Sequence, residues 1–137
     1  MLPRQDPKRV CAKVADWPAK HREAWQRILV RVDLFDDGTG TAAHWSPSTI
    51  EKNRKGWGRY QTFLAVNNFC DPEADPADCV TRERVQAYSD ELSRTVSPYS
   101  HWNRLCELLA VVRAFAPDRD WSACHFNVEA LLPAQVR

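Results

Sequence analysis

The fold is decided by residues Val80 to Trp121, VTRERVQAYSDELSRTVSPYSHWNRLCELLAVVRAFAPDRDW. They contain two helical patterns joined by a Ser-Pro corner. From Leu105 to Ala116 the second pattern is apolar apart from Glu107 and Arg113. A helix that is apolar on nearly every side is typical of one buried by several neighbours. We therefore expect the other helices to pack around this one, with its polar first turn facing outward.

Length and composition indicate one globular domain. The chain has 137 residues, of which 44% are hydrophobic and 27% charged, which fits a single compact domain and not a disordered segment. Its four glycines are few for an all-β chain with many tight turns. Six tryptophans, five phenylalanines and three tyrosines supply core material, since each buried aromatic ring hides roughly 150–250 Å².

Net charge and the number of cysteines limit the class of partner and the cellular compartment. The net charge of +1 indicates no general affinity for polyanions, so the local distribution of charge matters more. No apolar targeting segment follows Met1, and no run is long enough to span a bilayer. The five cysteines are odd in number and lack CxxC spacing. We predict a cytoplasmic protein with reduced thiols, with a Cys70–Cys79 disulfide as the alternative.

Capping residues and prolines predict where the helices begin. The five predicted starts are Asp16-Trp17-Pro18 (with the helix running to about Val30), Ser46-Pro47, Thr81, Ser97-Pro98 and Trp121. Residues 1–15 are predicted to form a flexible arm, and residues 16–137 the helical domain. Leu34 and Phe35 are expected to tuck into the domain from a loop. No strand pattern with period two is visible, which predicts an all-α bundle of about five helices.

The second helix carries opposite faces of different chemistry. Ile50, Trp57 and Leu64 recur every seven residues and should share the core face. Because a helix turns about 100° per residue, three basic residues fall on roughly the opposite face: Lys52, Lys55 and Arg59.

Two glycines interrupt this same helix. Gly56 and Gly58 flank Trp57, and each costs about 1 kcal/mol relative to alanine in a helix interior. They make sense if something approaches the backbone closely there, and they also count against a straight helix.

No catalytic or metal-binding pattern is present. The histidines and cysteines lack the paired spacing of zinc modules, and neither a glycine-rich phosphate loop nor a GxSxG motif occurs. The sequence therefore predicts no metal, no cofactor and no catalytic residue.

The start of the central helix is better suited to binding nucleic acid. A helix N-terminus offers unpaired N–H groups and a positive dipole end. At the start of the central helix, six side chains are of the types that contact phosphates and base edges: Ser97, Tyr99, Ser100, His101, Asn103 and Arg104. With the basic face of the second helix they predict a DNA-binding surface. The alternative interpretation is an ordinary capped helix beside a solvated lysine face.

Four short sequence patterns follow one another in a characteristic order. They are Tyr-x-x-Phe-Leu (Tyr60 to Leu64), Val-Thr-x-x-x-Val-x-x-Tyr-x-x-Glu-Leu (Val80 to Leu92), Ser-Pro-Tyr-Ser followed by Asn-Arg-Leu-x-x-Leu-Leu (Ser97 to Leu109), and Ala-Pro-Asp-Arg-Asp-Trp (Ala116 to Trp121). Together they resemble the N-terminal core-binding, SAM-like domain of tyrosine recombinases, the phage-integrase family. The resemblance covers about residues 15–132.

This resemblance implies a function. Such domains form one arm of a clamp around duplex DNA, and the helix beginning at Ser97 matches one placed in the major groove. The six residues of its start become DNA-contact candidates, and the helix carrying Lys52, Lys55 and Arg59 becomes a backbone contact. Other recombinase protomers are possible partners; a membrane or a small-molecule substrate is not expected.

The family's chemistry has no counterpart in this chain. It requires a C-terminal domain with arginines, a lysine, a His-x-x-Arg and a later tyrosine nucleophile. A literal His-x-x-Arg spans His101 to Arg104, but no tyrosine follows Tyr99. We therefore expect a DNA-positioning domain that is not an enzyme. The alternative function is a helical protein-interaction or oligomerisation module, with Leu131 and Leu132 of the last helix as an apolar docking surface.

Overall fold

A computed structural model describes residues 11–31 and 39–124. Within these two ranges the chain forms four α-helices and no strand: α1 (Ala19–Ile28), α2 (Pro47–Val66), α3 (Arg82–Thr95) and α4 (Pro98–Phe115). Three short 3-10 turns, Val14–Asp16, Pro76–Cys79 and Ser122–Cys124, accompany them. The all-α prediction is confirmed. The expected fifth helix falls largely, and the loop residues Leu34 and Phe35 fall entirely, outside the described residues.

Three helices begin at the hydroxyl caps that the sequence predicts. The backbone N–H of the third helical residue donates to the cap oxygen in each case: Thr49 to Ser46 at 3.2 Å, Arg84 to Thr81 at 3.2 Å, and Ser100 to Ser97 at 3.3 Å. In α2 and α4 a proline then occupies the first turn, where its missing N–H costs no hydrogen bond.

The first helix and the segment before it differ slightly from expectation. Pro18 is the N-cap of α1 and not part of its first turn. Cys11 and Ala12, predicted to belong to a flexible arm, lie against α2: the N–H of Ala12 donates to the carbonyl of Gly58 at 3.2 Å, and Sγ of Cys11 donates to the carbonyl of Lys55 at 3.2 Å. The indole of Trp17 donates to the Ala12 carbonyl at 3.0 Å. Tertiary hydrogen bonds therefore hold a segment that has no helical period of its own.

α2 ends in a left-handed residue, Asn68, at φ 60°. The N–H of Phe69 donates to the carbonyl of Leu64 at 2.8 Å, and that of Asn68 to Ala65 at 3.3 Å. This is the Schellman arrangement. It stops the helix and turns the chain so that the Phe69 ring packs on Phe63, with centroids 5.9 Å apart.

α4 is the central helix, as its apolar run predicts. It contacts α1, α2, α3 and the Pro76–Cys79 turn. Its core-facing side chains are buried, with Leu108, Val111 and Val112 fully so. The predicted stripes of the neighbouring helices are confirmed as well: Trp57, Leu64, Val85, Tyr88 and Leu92 are buried, and Ile50 packs at the edge of the core.

Gly56 and Gly58 mark two close approaches to the α2 backbone, as expected. A methyl group at position 56 would collide with Cβ of Glu107 on α4. One at position 58 would lie 2.5 Å from the Ala12 carbonyl oxygen. The first contact sets how closely α2 and α4 cross, and the second makes room for the N-terminal segment.

We predict that Gly56→Ala destabilises the protein by about 1–3 kcal/mol, because the overpacked methyl group must push two core helices apart. The measurement is the free energy of unfolding in urea. The exposed Ala65 of α2 provides the control, since Ala65→Gly should cost only the helix propensity of about 1 kcal/mol. A Gly56→Ala protein as stable as the wild type would contradict the close contact.

His21 is a buried polar residue that bridges α1, α2 and the Pro76–Cys79 turn. Its side chain is 1% exposed. Nδ1 lies 2.8 Å from Nε2 of Gln61 and Nε2 lies 3.7 Å from Sγ of Cys79. Burial lowers the pKa of His21 from 6.5 to about 4, against the opposing charge of Asp75. The neutral ring therefore belongs to the folded state.

The stability contributed by neutral His21 should disappear in acid. Because the folded pKa is depressed, this contribution is complete above pH 6.5 and declines as the pH falls towards about 4, with a slope of at most about 1.4 kcal/mol per pH unit. Burial raises the pKa of Glu107. Protonation of Glu107 in acid therefore favours the folded state and opposes the loss of stability at His21 in the wild type. The informative quantity is thus the difference in unfolding free energy between wild type and His21→Gln, followed from pH 7 to pH 4. A difference that stays constant over this pH range would contradict the predicted contribution of neutral His21.

Candidate nucleic-acid interface

The two surfaces predicted from sequence meet at one place, the crossing of α2 and α4. Gly56 of α2 lies against Glu107 of α4. The three basic residues of the predicted α2 face lie close to Gly56 along the helix. Lys55 directly precedes it, and Lys52 and Arg59 lie about one turn before and after it. We call the following set the α2–α4 seam: Lys52, Lys55, Gly56, Arg59, Arg104 and Glu107.

Glu107 is the buried charge of the seam. Its side chain is 4% exposed. One oxygen lies 3.5 Å from Arg59 Nη1 and the other 3.6 Å from Arg104 Nη1. Burial raises the pKa of Glu107, while Arg104, Arg59 and Lys52 oppose that rise. Both ion pairs are longer than good hydrogen bonds, and Oε2 has no hydrogen-bond partner, so the carboxylate is neutralised by charge more than by bonding.

The two arginines lie over this carboxylate and still reach solvent. The side chain of Arg59 is 29% exposed and that of Arg104 is 23% exposed. Burial lowers the pKa of Arg104 from its ordinary value, and the nearby Arg59 charge lowers it further. An arginine remains protonated at any physiological pH. The sequence predicts the two residues on different helices of one DNA-binding surface, and the fold brings both to the same carboxylate.

The remaining basic side chains extend the seam along α2. Lys52 and Lys55 are exposed. Glu51 is engaged by Arg54, which donates two hydrogen bonds to it at 3.0 and 2.6 Å, and it lies 3.8 Å from Lys55. That interaction with Arg54 lowers the pKa of Glu51. The one acidic residue of this helix is therefore paired, and positive charge dominates its surface.

The first turn of α4 is polar and accessible at most predicted positions. Ser97 is exposed, and Tyr99 is 53% exposed. Ser100 and Asn103 are half-buried. The Ser97 hydroxyl donates to Ser100 Oγ at 3.2 Å while it caps the helix, so both hydroxyls already serve the helix start.

His101 is a correction to the predicted contact set. It is 4% exposed, and its Nε2 lies 2.8 Å from Oγ of Ser89 on α3. Burial lowers the pKa of His101, although Asp90 opposes the shift. Position 101 lies on the side of α4 that faces the core, one turn before Leu105. A ring held there ties α3 to α4 and does not face a ligand.

We expect His101→Ala to lower the free energy of unfolding by about 1–3 kcal/mol, because it leaves a buried space and removes the partner of Ser89. Asn103→Ala, two residues further and half-buried, should change stability by no more than about 0.5 kcal/mol. Urea denaturation of both variants checks this. Equal stabilities would show that His101 is not a packing residue.

Sequence reasoning missed two members of this region. Tyr88 is 2% exposed, and its hydroxyl has no hydrogen-bond partner. Burial raises its pKa, and the charges of Arg104, Glu107 and Arg59 all act on it. The sequence places Tyr88 in a core stripe and Glu107 in an apolar anchor. The one available signal was a carboxylate inside the run LCELLAVV.

Other classes of site have no counterpart in the described ranges. No group of three or more metal-binding side chains occurs among those residues, and all five cysteines are free thiols. None of the described helices is both long and apolar enough to cross a membrane.

Comparisons of the chain with protein-family models, with curated proteins and with solved structures give no match.

Proposed function

We propose that this chain is a DNA-binding helical domain that positions duplex DNA without cleaving it, as core-binding, SAM-like domains of tyrosine recombinases do. The observation that carries the proposal is the α2–α4 seam. Basic residues from two helices surround one buried carboxylate and continue as exposed lysines along α2. A continuous cationic surface of this kind supplies the sequence-independent part of DNA affinity.

The accessible start of α4 supports different roles in DNA binding for the seam and for this part of the helix. The seam contacts the phosphate backbone, and the first two turns of α4, which carry Tyr99 and Asn103, face the groove beside it. Backbone contacts set the position of a protein on DNA, whereas side chains at base edges read sequence. The amide of Asn103 has the donor and acceptor that pair with an adenine edge.

The positioning role is favoured over chemistry by the state of the His-x-x-Arg motif. His101 is buried against Ser89, and Arg104 is paired with Glu107. Both residues are engaged in holding helices together. Integration of foreign DNA, excision and resolution are all compatible with a positioning domain.

We expect a labelled duplex to bind with an affinity that falls steeply between about 50 and about 200 mM salt. Lys52→Gln with Lys55→Gln should reduce the slope of log affinity against log salt by about 2, since each phosphate contact contributes about 0.9. Fluorescence anisotropy provides the measurement. Arg104→Ala should also weaken binding and reduce this slope by about 1, because it removes one phosphate contact.

The matched control removes the same charge elsewhere. Arg27 of α1 and Arg94 of α3 are both exposed, and Arg27→Gln with Arg94→Gln should leave the slope unchanged. Equal losses in the two double variants would indicate a net-charge effect without a defined surface. Absence of salt-dependent binding, together with a stable oligomer in light scattering, would favour the protein-interaction alternative. Its predicted docking residues Leu131 and Leu132 lie outside the described residues.

A further inference from the structure

Two buried polar atoms, one in the seam and one on the neighbouring helix α3, have no hydrogen-bond partner. They are the hydroxyl of Tyr88 on α3 and Oε2 of Glu107 on α4. The hydroxyl can donate and the carboxylate oxygen can accept, and the charge of Glu107 contributes to the raised pKa of Tyr88. Buried groups without hydrogen bonds are rare in folded proteins and call for an explanation.

The arginines provide that explanation. Arg59 and Arg104 approach different oxygens of Glu107 at 3.5 and 3.6 Å, distances at which the guanidinium groups are attracted but not firmly bonded. Each arginine keeps about a quarter of its side chain in solvent. A tetrahedral anion arriving from that side meets two guanidinium groups at once, and arginine forks match phosphate geometry.

We propose that Arg59 and Arg104 form a single phosphate-binding site, which the carboxylate of Glu107 occupies while no ligand is bound. When a phosphate takes the two arginines, Glu107 loses its counter-charges and accepts a hydrogen bond from the Tyr88 hydroxyl. The two unpartnered groups are thus the two halves of the pair formed in the liganded state. For a DNA phosphate the inference rests on the proposed function; a free phosphate would use the same site.

Two isosteric variants have opposite expected effects on duplex affinity. Glu107→Gln removes the competing charge and should tighten binding roughly three- to tenfold, the effect of about one screened unit charge at this range. Tyr88→Phe leaves the released carboxylate without a donor and should weaken binding by a similar factor. Because its hydroxyl is unpaired in the free protein, Tyr88→Phe should not reduce stability. A purely structural role for either residue would weaken binding only through loss of folded protein.

Double variants test whether these effects share one site. Tyr88→Phe should have little effect once Glu107→Gln is present, because the amide needs no donor of this kind. Glu107→Gln should bring no gain in a protein that also carries Arg59→Gln and Arg104→Gln. Affinities are measured by anisotropy on proteins shown by circular dichroism to be folded. Folded Glu107→Gln with unchanged or weakened affinity would overturn the proposal.

A second measurement does not depend on DNA. Inorganic phosphate is exchanged for chloride at constant ionic strength while the arginine Nε–Hε signals are followed by NMR in the wild type and in Tyr88→Phe. Arg59→Lys and Arg104→Lys identify the signals. We expect phosphate to shift both arginines in the wild type, and less in Tyr88→Phe.

The two measurements separate the two possible failures. Phosphate shifts without duplex binding would leave the site standing for a free phosphate and reject the proposed DNA function. Salt-dependent duplex binding without phosphate shifts, and without a gain in Glu107→Gln, would keep the proposed function and overturn the shared site.

Discussion

The contact between Gly56 of α2 and Glu107 of α4 is the constraint on which this structure depends. Any side chain at position 56 would collide with the Glu107 stem, so the two helices cross at a distance that only glycine permits. This distance brings Glu107 beneath Arg59 while Arg104, one turn earlier on α4, approaches from the side. A wider crossing would leave two separate basic surfaces in place of one.

Buried polar groups are bonded to different extents in the core and at the seam, although the indole N–H of Trp57 in the core also lacks a hydrogen-bond partner. In the core, the hydroxyl of Tyr60 donates to the Cys79 carbonyl at 2.6 Å, and both nitrogens of His21 have partners. Glu107 of the seam and Tyr88 of α3 are buried yet incompletely bonded. Satisfied buried polar groups stabilise one arrangement, whereas unsatisfied ones cost free energy and mark places where another arrangement or a ligand can improve the bonding.

Much of the fold follows from local patterns. The caps at Ser46, Thr81 and Ser97 act within one helical turn, and the stripes on α2, α3 and α4 depend only on helical period. These features can be predicted from sequence because the residues that produce them are close together in the chain. The assignment of His101 to the surface was wrong for a related reason: chemistry at a helix start suggests contact with a ligand, but its angular position decides whether the side chain meets solvent or the core.

By itself, the sequence determined an all-α chain, the starts of three helices, the buried central helix and the need for close approaches at Gly56 and Gly58. Helical periodicity and capping are properties of neighbouring residues, so no tertiary information is required. Only the tertiary structure decided which groups approach those glycines, and that Arg59 and Arg104 share Glu107. Those facts depend on the crossing of helices about fifty residues apart in sequence, and no local pattern encodes that distance.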